Sequence, residues 1–236
     1  MRFAVIGDIH SNLPALAAVL NRIQQDEVDF IISTGDLVGY ATFPNEVINL
    51  IRTNHIVSIQ GNYDKAIGNK ELVCGCDYTD EKALQWAGLS VRFTNQAITD
   101  QNRRYLKNLP QKAIFTIDPY EILVVHGSPR KINEYLYEDS SELDEVTKMI
   151  PQNILICGHT HQPFYQIVNG KHVINSGSVG KPKHGNPNAV YILVNIVEQE
   201  IDVQIVEVPY HVEQTARAIE NNSVLPNEFA EMLRKG

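Results

Sequence analysis

Apolar residues of this chain fall into short continuous runs that alternate with longer segments of helical periodicity. The runs at residues 3–6, 30–32 and 56–59 are typical of strands that are covered on both faces. Between the first two, Ser11 or Asn12 can cap a helix whose apolar positions continue to Ile23. A second helix is predicted from near Pro44. This β-α-β-α-β order predicts parallel strands joined by right-handed crossovers.

The rest of the chain changes from helical to strand-rich patterns. Two helices are predicted within residues 79–109, with a break near 97–100. Further predicted elements are a hairpin at 113–117 and 121–125, a helix at 140–149, strands at 154–156, 164–168, 172–174, 190–197 and 203–208, and helices at 211–221 and 227–235. We therefore expect one α/β domain over residues 1–236, with two facing mixed sheets and helices outside them, a four-layer α-β-β-α sandwich.

Composition narrows the class of protein. The chain of 236 residues is 43% hydrophobic and 20% charged, as a globular protein is, and its net charge is −8. This acidic balance disfavours nucleic-acid binding through bulk electrostatics, but a small phosphorylated ligand is compatible with it if bound cations reverse the local field. No apolar segment approaches the roughly 18 residues of a membrane span. Cys74 and Cys76 form C-x-C, which is not a zinc-ribbon spacing, so with Cys157 they predict reduced thiols and a cytoplasmic protein.

Residues that can bind metals follow five predicted strands. They are Asp8, His10, Asp36, Asn62, His126, His159 and His161. Singly, each carboxylate or amide can be a helix or turn cap, and each histidine can be a hydrogen-bonded core residue. Together they favour a ligand set, because ligand sites of α/β sheets form at the carboxyl ends of strands.

The donor types indicate the chemistry of such a site. Carboxylate, amide and imidazole groups suit two divalent metals of intermediate hardness, with manganese first among them and Fe, Zn, Co or Ni as alternatives. Two such ions about 3.5–4 Å apart can hold a hydroxide and clamp a phosphoryl group for in-line displacement.

The same residues resemble an established family. Asp8-x-His10, Gly35-Asp36, Gly61-Asn62, His126 and Gly158-His159-x-His161 are similar, in order and spread, to the five motifs of the calcineurin-like metallophosphoesterases. The phrases "GDLVGY", "VVHGSPR", "NEYL" and "INSGSVGKPK" resemble its compact bacterial and archaeal branch. The resemblance implies the metallophosphoesterase fold, with the helical segment at about 79–109 flanking the active site.

The resemblance also implies a role for each donor. The first metal would be held by Asp8, His10 and His161. The second would be held by Asn62, His126 and His159. Asp36 would bridge the two ions, and hydroxide between them would be the nucleophile.

Two positions depart from the family pattern. Tyr63 stands where the third motif often has a histidine that assists the leaving oxygen, and Gly39 stands where protein-phosphatase relatives have its partner aspartate. A tyrosine hydroxyl can donate a hydrogen bond to the leaving oxygen, but its pKa near 10 makes it a poor general acid. Substrates with good leaving groups are therefore favoured. Asp64 is expected to orient a ligand histidine.

A second cluster is expected to contact substrate. The turn-rich loop 175–180 precedes Lys181, Lys183 and His184, and Arg130 follows His126. Exposed amides and cations suit phosphate oxygens, although a solvated loop with ordinary lysines fits the pattern equally well. The aromatic residues Tyr78, Trp86 and Phe93 lie at near-helical spacing, which favours core packing over a base-stacking platform.

These features predict a dinuclear-metal phosphoesterase acting on a small phosphorylated substrate. A phosphodiester, a nucleotide or a dinucleoside polyphosphate is expected. The alternatives are a phosphomonoesterase and a catalytically weak protein of this fold that serves as an interaction scaffold. An oligomer is compatible with the sequence.

Overall fold

The computed structural model describes residues 1–75 and 80–236. Cys76, Tyr78 and the residue Thr79 at which the predicted helical segment starts lie outside the described residues. The strands in the described ranges are Arg2–Ile6 (β1), Phe30–Ser33 (β2), Val57–Ser58 (β3), Lys112–Ile117 (β4), Tyr120–Val125 (β5), Ile154–Cys157 (β6), Phe164–Val168 (β7), Lys171–Asn175 (β8), Ala189–Val197 (β9) and Glu200–Val208 (β10). The α-helices there are Leu13–Ile23 (α1), Pro44–Thr53 (α2), Asn62–Asn69 (α3), Glu81–Ala97 (α4), Asp100–Lys107 (α5), Ser141–Met149 (α6), Val212–Glu220 (α7) and Glu228–Lys235 (α8).

The strands form two mixed five-stranded sheets. The first has the order β10-β9-β1-β2-β3, in which β1, β2 and β3 are parallel and β9 and β10 are antiparallel additions. The second has the order β4-β5-β6-β8-β7, with β5, β6 and β8 parallel and an antiparallel strand at each edge. The parallel first half and the hairpin-rich second half predicted from the pattern are confirmed.

Strand β1 shows why a continuous apolar run is needed. Phe3 and Val5 lie in a core cluster that contains side chains of both sheets. Ala4 and Ile6 point to the opposite face and pack against the helices that cover the first sheet. A third cluster, which includes Leu143 of α6, covers the outer face of the second sheet. The layers are therefore helix, sheet, sheet and helix, as predicted.

Element ends differ from the prediction most at β10, which begins at Glu200, three residues before the predicted start, and the third strand is shorter than predicted. Its paired part is only Val57–Ser58, because Val57 is half exposed and the Gln60 N–H leaves the sheet to donate to the Pro110 carbonyl (2.7 Å). The break between α4 and α5 is confirmed, and the Thr99 side chain caps the second helix. No helix in the described part of the chain combines the length and apolarity needed to cross a membrane.

Candidate metal centre

The predicted metal donors converge at one end of the two sheets. Asp8, His10 and Asp36 follow strands of the first sheet, and Asn62 begins α3. The other donors, His126, His159 and His161, follow β5 and β6 of the second sheet. All seven side chains are buried. The site thus lies where both sheets end.

Six of the donors form two compact groups. One group is Asp8, His10 and His161, and the other is Asp36, His126 and His159. Within each group the candidate ligand atoms all lie within 4.8 Å of one another. Three N or O donors at that spacing can hold a divalent ion.

Asp36 joins the two groups. Its Oδ2 lies 3.8 Å from His10 Nε2 in the first group and 3.5 Å from His126 Nε2 in the second. Its Oδ1 accepts a hydrogen bond from the Tyr63 N–H (2.8 Å), which fixes the plane of the carboxylate. One carboxylate therefore faces both candidate sites.

The amide of Asn62 presents its oxygen to the second group. Its Nδ2 donates to the Cys74 carbonyl (2.9 Å), and its Oδ1 lies 2.9 Å from His126 Nε2. Because the amide nitrogen is held by the main chain, the oxygen is the atom that faces the site.

Main-chain carbonyls orient the imidazoles. His10 Nδ1–H donates to the Val38 carbonyl (3.0 Å), and His161 Nδ1–H donates to the Lys181 carbonyl. Both rings therefore direct an unprotonated Nε2 into the site, and these two nitrogens lie only 3.2 Å apart. Asp8 Oδ1 is buried nearby without a hydrogen-bonding partner among the described residues. Facing lone pairs and an unpartnered carboxylate oxygen fit a bound cation.

Burial keeps most of these histidines neutral. It lowers the pKa of His10 to about 3 and those of His159 and His161 well below the usual range. Lys183 and Lys181 lower the pKa of His161 further. Neutral imidazole is the form that binds metals.

His126 behaves differently from the other histidines. Burial is the largest influence and lowers its pKa, but the attraction and hydrogen bond of Asp36, together with smaller contributions, outweigh it and raise the pKa to about 9. A cation at the second group would take the place of that proton, since metal ligands must be deprotonated.

The backbone at the site is held in conformations that are rare for residues other than glycine. Positive φ angles occur at five of the seven donors: Asp8 (49°), His10 (49°), Asp36 (53°), His159 (68°) and His161 (63°). Such conformations cluster at functional sites, where the surrounding structure enforces them. The sequence carried no signal for this beyond the neighbouring glycines.

Gly61 permits the close approach of the two loops that carry Asp36 and Asn62. A Cβ at Gly61 would lie 2.1 Å from Asp36 Oδ1, a distance that no side chain could tolerate. Asp64 ties the same loops together by accepting hydrogen bonds from the N–H groups of Leu37 (2.9 Å) and Gly61 (3.0 Å). The expectation that Asp64 orients a histidine was therefore wrong: its oxygens are used by the main chain.

Gly39 and Tyr63, the two residues that depart from the family pattern, lie next to each other in the structure. Gly39 has φ +99°, and a Cβ there would lie 2.5 Å from Cδ1 and 2.7 Å from Cε1 of Tyr63. The Tyr63 ring is buried and lines the cleft at the metal centre. The tyrosine thus fills the space that a side chain at position 39 would need.

Two tyrosines at the site were missed by the sequence reasoning. Tyr40 meets the His10 ring edge-on (centroids 4.8 Å apart), and Tyr135 stacks on His159 (4.1 Å). Both line the cleft. Tyr40 lies in the phrase "GDLVGY" and Tyr135 in "NEYL". The resemblance of these two phrases to the family was the sequence signal that could have identified both tyrosines.

The predicted substrate contacts divide into two sets. Lys181 is buried with its ammonium 4.5 Å from the Tyr40 ring centroid, and Lys183 lines the cleft. His184 instead lies 4.0 Å from Glu207 and is not among the residues that line the cleft.

Arg130 also lies apart from the cleft-lining residues. Its guanidinium pairs with Glu134 and Glu145, both at 2.6 Å, and these pairs raise its pKa above the usual range. Arg130 and His184 are therefore not among the residues that line the cleft, and acidic side chains hold the Arg130 guanidinium elsewhere.

The loop 175–180 has a structural role in place of the expected exposed amides. The Val179 N–H donates to the Gly7 carbonyl (2.9 Å). The Gly180 N–H donates to the Asp8 carbonyl (3.0 Å). The loop thus supports the backbone of the first metal group. It is neither a loop of exposed phosphate-binding amides nor a solvated loop, which were the two expectations.

Comparisons with known proteins agree with this geometry. The family model of the calcineurin-like phosphoesterase superfamily domain matches residues 1–199. The uncharacterized protein MJ0912 of Methanocaldococcus jannaschii is 32% identical over 99% of this chain and 97% of its own length.

Solved structures extend the likeness over the whole fold. A metallophosphoesterase from Sphaerobacter thermophilus has a TM-score of 0.79 at 28% identity, covering 99% of this chain and 98% of that one. The hypothetical protein PH1004 of Pyrococcus horikoshii has a TM-score of 0.86 at 24% identity, covering 100% and 98%, and shows the shared fold. The ordered motifs, the paired donor groups and the match over residues 1–199 agree, and the chain belongs to the calcineurin-like phosphoesterase superfamily.

Proposed function

We propose that this protein is a dinuclear-metal phosphoesterase that hydrolyses a small phosphorylated substrate, a phosphodiester or a nucleotide anhydride. Asp8, His10 and His161 hold one divalent ion. Asn62, His126 and His159 hold the other. Manganese is the ion we expect first, with Fe, Zn, Co or Ni as alternatives.

The position of Asp36 carries the proposal. Its Oδ2 is within 3.8 Å of a histidine from each group, so a single carboxylate can serve both ions. A structural site would more often use cysteine and stand alone. Paired sites that share a carboxylate are typical of two-metal hydrolysis.

The residues of the chain would position the ions for the reaction. Two ions bound there would act as Lewis acids toward the phosphoryl oxygens and the attacking water. The carbonyls of Val38 and Lys181 keep His10 and His161 in the orientation that binds metal. Asp8 and Asp36 concentrate negative charge between the groups, which favours divalent over monovalent ions.

The leaving group limits the substrate class. With Tyr63 in the place of a histidine, the cleft lacks that imidazole acid, and Tyr63 can at most donate a hydrogen bond to the departing oxygen. Aryl esters and anhydrides leave without prior protonation. We therefore propose that activated diesters, such as aryl diesters, and nucleotide anhydrides react faster than phosphomonoesters of simple alcohols.

We also propose that residues 1–236 act as one unit, with the helical segment at about 79–109 beside the active site. The metal donors come from both sheets, and the two sheets share a core cluster. Neither sheet alone carries all the proposed ligands of either ion.

The test is metal analysis combined with kinetics. Wild type is reconstituted with Mn²⁺ and assayed on bis(p-nitrophenyl) phosphate and p-nitrophenyl phosphate, beside Asp36→Asn and the matched control Asp26→Asn. Asp26 is buried but is bonded to Arg22 and Tyr191, away from the site.

We expect two ions per wild-type chain. Asp36→Asn should lose more than about 100-fold in kcat/KM, because substitution of residues that only hydrogen-bond to metal ligands already costs about 10–100-fold in metal affinity or activity. Asp26→Asn should keep its metals and activity. Fewer than two ions per chain with no hydrolysis would support the scaffold alternative and refute the proposal. Faster turnover of the monoester would make the protein a phosphomonoesterase.

A further inference from the structure

A cavity of about 440 Å³ lies beside the metal centre. Its apolar wall is formed by Tyr40, Trp86, Phe229 and Met232. We call this cavity the aromatic pocket. Its volume is within the range of about 300–1,000 Å³ that is usual for small-molecule sites.

The aromatic pocket adjoins the proposed active site. Tyr40 and Lys183 line both the pocket and the cleft at the metal donors. A molecule whose phosphorus lies at the metal centre can therefore place its organic part in the pocket without leaving the protein surface.

The wall of the pocket contains three aromatic rings that pack on one another, of which Trp86 is the most exposed. Helices α4 and α8, distant in sequence, bring Trp86 and Phe229 to 6.3 Å between centroids at an interplanar angle of 74°. Tyr40 and Phe229 lie 5.0 Å apart at 70°. Trp86 remains half-buried, although it packs against the core as its spacing predicted. Aromatic side chains can stack on the flat ring of any nucleobase.

The charges around the pocket suit a phosphate. The charged side chains among its described lining residues are Lys181, Lys183 and Lys235. Three lysines therefore lie together on a chain of net charge −8. Their ammonium groups would attract an anion at the side of the substrate that carries phosphate.

We propose that the aromatic pocket binds the nucleobase of a nucleotide substrate while the lysines hold its phosphates. The assignment rests on the proposed function, because it places the scissile phosphorus at the metal centre. Aromatic walls favour a flat base over a saturated chain, and the lysines favour a polyphosphate over a neutral ligand. The substrate class is therefore narrowed to nucleoside-containing diesters and anhydrides.

Trp86 offers a direct readout, since it is the single tryptophan of the chain. Its fluorescence is followed while metal-loaded and EDTA-treated protein are titrated with adenosine and uridine 5′-(α,β-methylene)diphosphate. Methylenediphosphonate is the matched probe without a nucleoside, and dodecyl phosphate is the matched probe with an alkyl chain. We expect a saturable change with the nucleotides and none with methylenediphosphonate.

A pocket-filling variant tests the location. Ala83 lines the pocket on α4, so Ala83→Phe occupies it without removing a core side chain, whereas Gln85→Phe places the same ring on the exposed surface of that helix. We expect Ala83→Phe to weaken nucleotide binding about 10-fold, within the range that loss of base stacking gives. Gln85→Phe should bind as wild type does.

Kinetics give an independent comparison with one leaving group. Thymidine 5′-(p-nitrophenyl) phosphate and methyl p-nitrophenyl phosphate release the same p-nitrophenolate, so their kcat/KM ratio reports the nucleoside. We expect a ratio well above one in wild type and about 10-fold lower in Ala83→Phe.

The outcomes separate this proposal from the proposed function. If the protein hydrolyses none of the substrates but still binds nucleotides in EDTA, the nucleobase-binding proposal is supported and the proposed phosphoesterase activity is refuted. An active two-metal enzyme whose tryptophan responds to dodecyl phosphate but to neither nucleotide overturns the nucleobase assignment. Equal binding by Ala83→Phe and wild type overturns the location.

Discussion

The packing of Tyr63 against Gly39 makes a quantitative prediction about stability. Gly39→Ala would place a methyl group 2.5 Å from Tyr63 Cδ1, so the buried ring would have to move. Overpacking of this kind costs about 1–3 kcal/mol. The left-handed φ of +99° adds about 1–2 kcal/mol for any residue with a Cβ. The free energy of unfolding should therefore fall by roughly 2–5 kcal/mol.

A double-mutant cycle isolates the contact. Tyr63→Ala alone should cost about 3–5 kcal/mol, as truncation of a buried aromatic ring does. Adding Gly39→Ala to Tyr63→Ala should then cost only the backbone part, about 1–2 kcal/mol. The φ contribution is present in both backgrounds and cancels, so the coupling energy is the overpacking alone, about 1–3 kcal/mol.

The cycle is measured by urea unfolding, followed by circular dichroism in EDTA so that metal loss does not contribute. Tyr63→Phe is the matched control, because it keeps the ring and should leave the cost of Gly39→Ala unchanged. Additive effects in the Tyr63→Ala cycle, within about 0.5 kcal/mol, would refute the claim that the tyrosine ring excludes a side chain at position 39.

Three further predictions concern the loops and the ions. Asp64→Asn turns an amide N–H₂ toward the N–H of Leu37 or Gly61 and should lower the free energy of unfolding by about 1–3 kcal/mol, and an unchanged urea midpoint would contradict this. Gly61→Ala brings a methyl group to 2.1 Å from Asp36 Oδ1 and should reduce the bound metal below two ions per chain by mass spectrometry, whereas full loading would show that the loop relaxes. Each Mn²⁺ bound at 100 times its Kd should stabilise the fold by about 2.7 kcal/mol, so EDTA should lower Tm by about 5–10 °C for each ion that it removes; equal Tm values would speak against tight binding.

The fold was predictable because its strands carry an unambiguous pattern. A run such as residues 3–6 offers no polar face, so it must be covered on both sides, and β1 is covered by the other sheet and by helices. The donors were predictable because they follow such runs directly. Their positions at the strand ends required no knowledge of tertiary structure.

Other features depended on contacts between distant parts of the chain. The loop 175–180 has the composition of an exposed turn, yet its amides pair with carbonyls of residues 7 and 8. The aromatic pocket forms only where α4 meets α8, and helical spacing of Trp86 gave no sign of an open cavity. The positive φ angles likewise follow from packing at the loops and not from residue type.

The use of main-chain carbonyls to orient the histidines has a consequence for divergence within the superfamily. Substitution cannot remove a carbonyl, so the ring of His161 keeps its partner whatever side chain stands at position 181. The side chain of Lys181, by contrast, faces the aromatic pocket. Residue 181 therefore acts at two places: its backbone carbonyl holds the His161 ring, while its side chain lines the aromatic pocket. A substitution at position 181 would therefore change the lining of the pocket and leave the carbonyl partner of His161 in place.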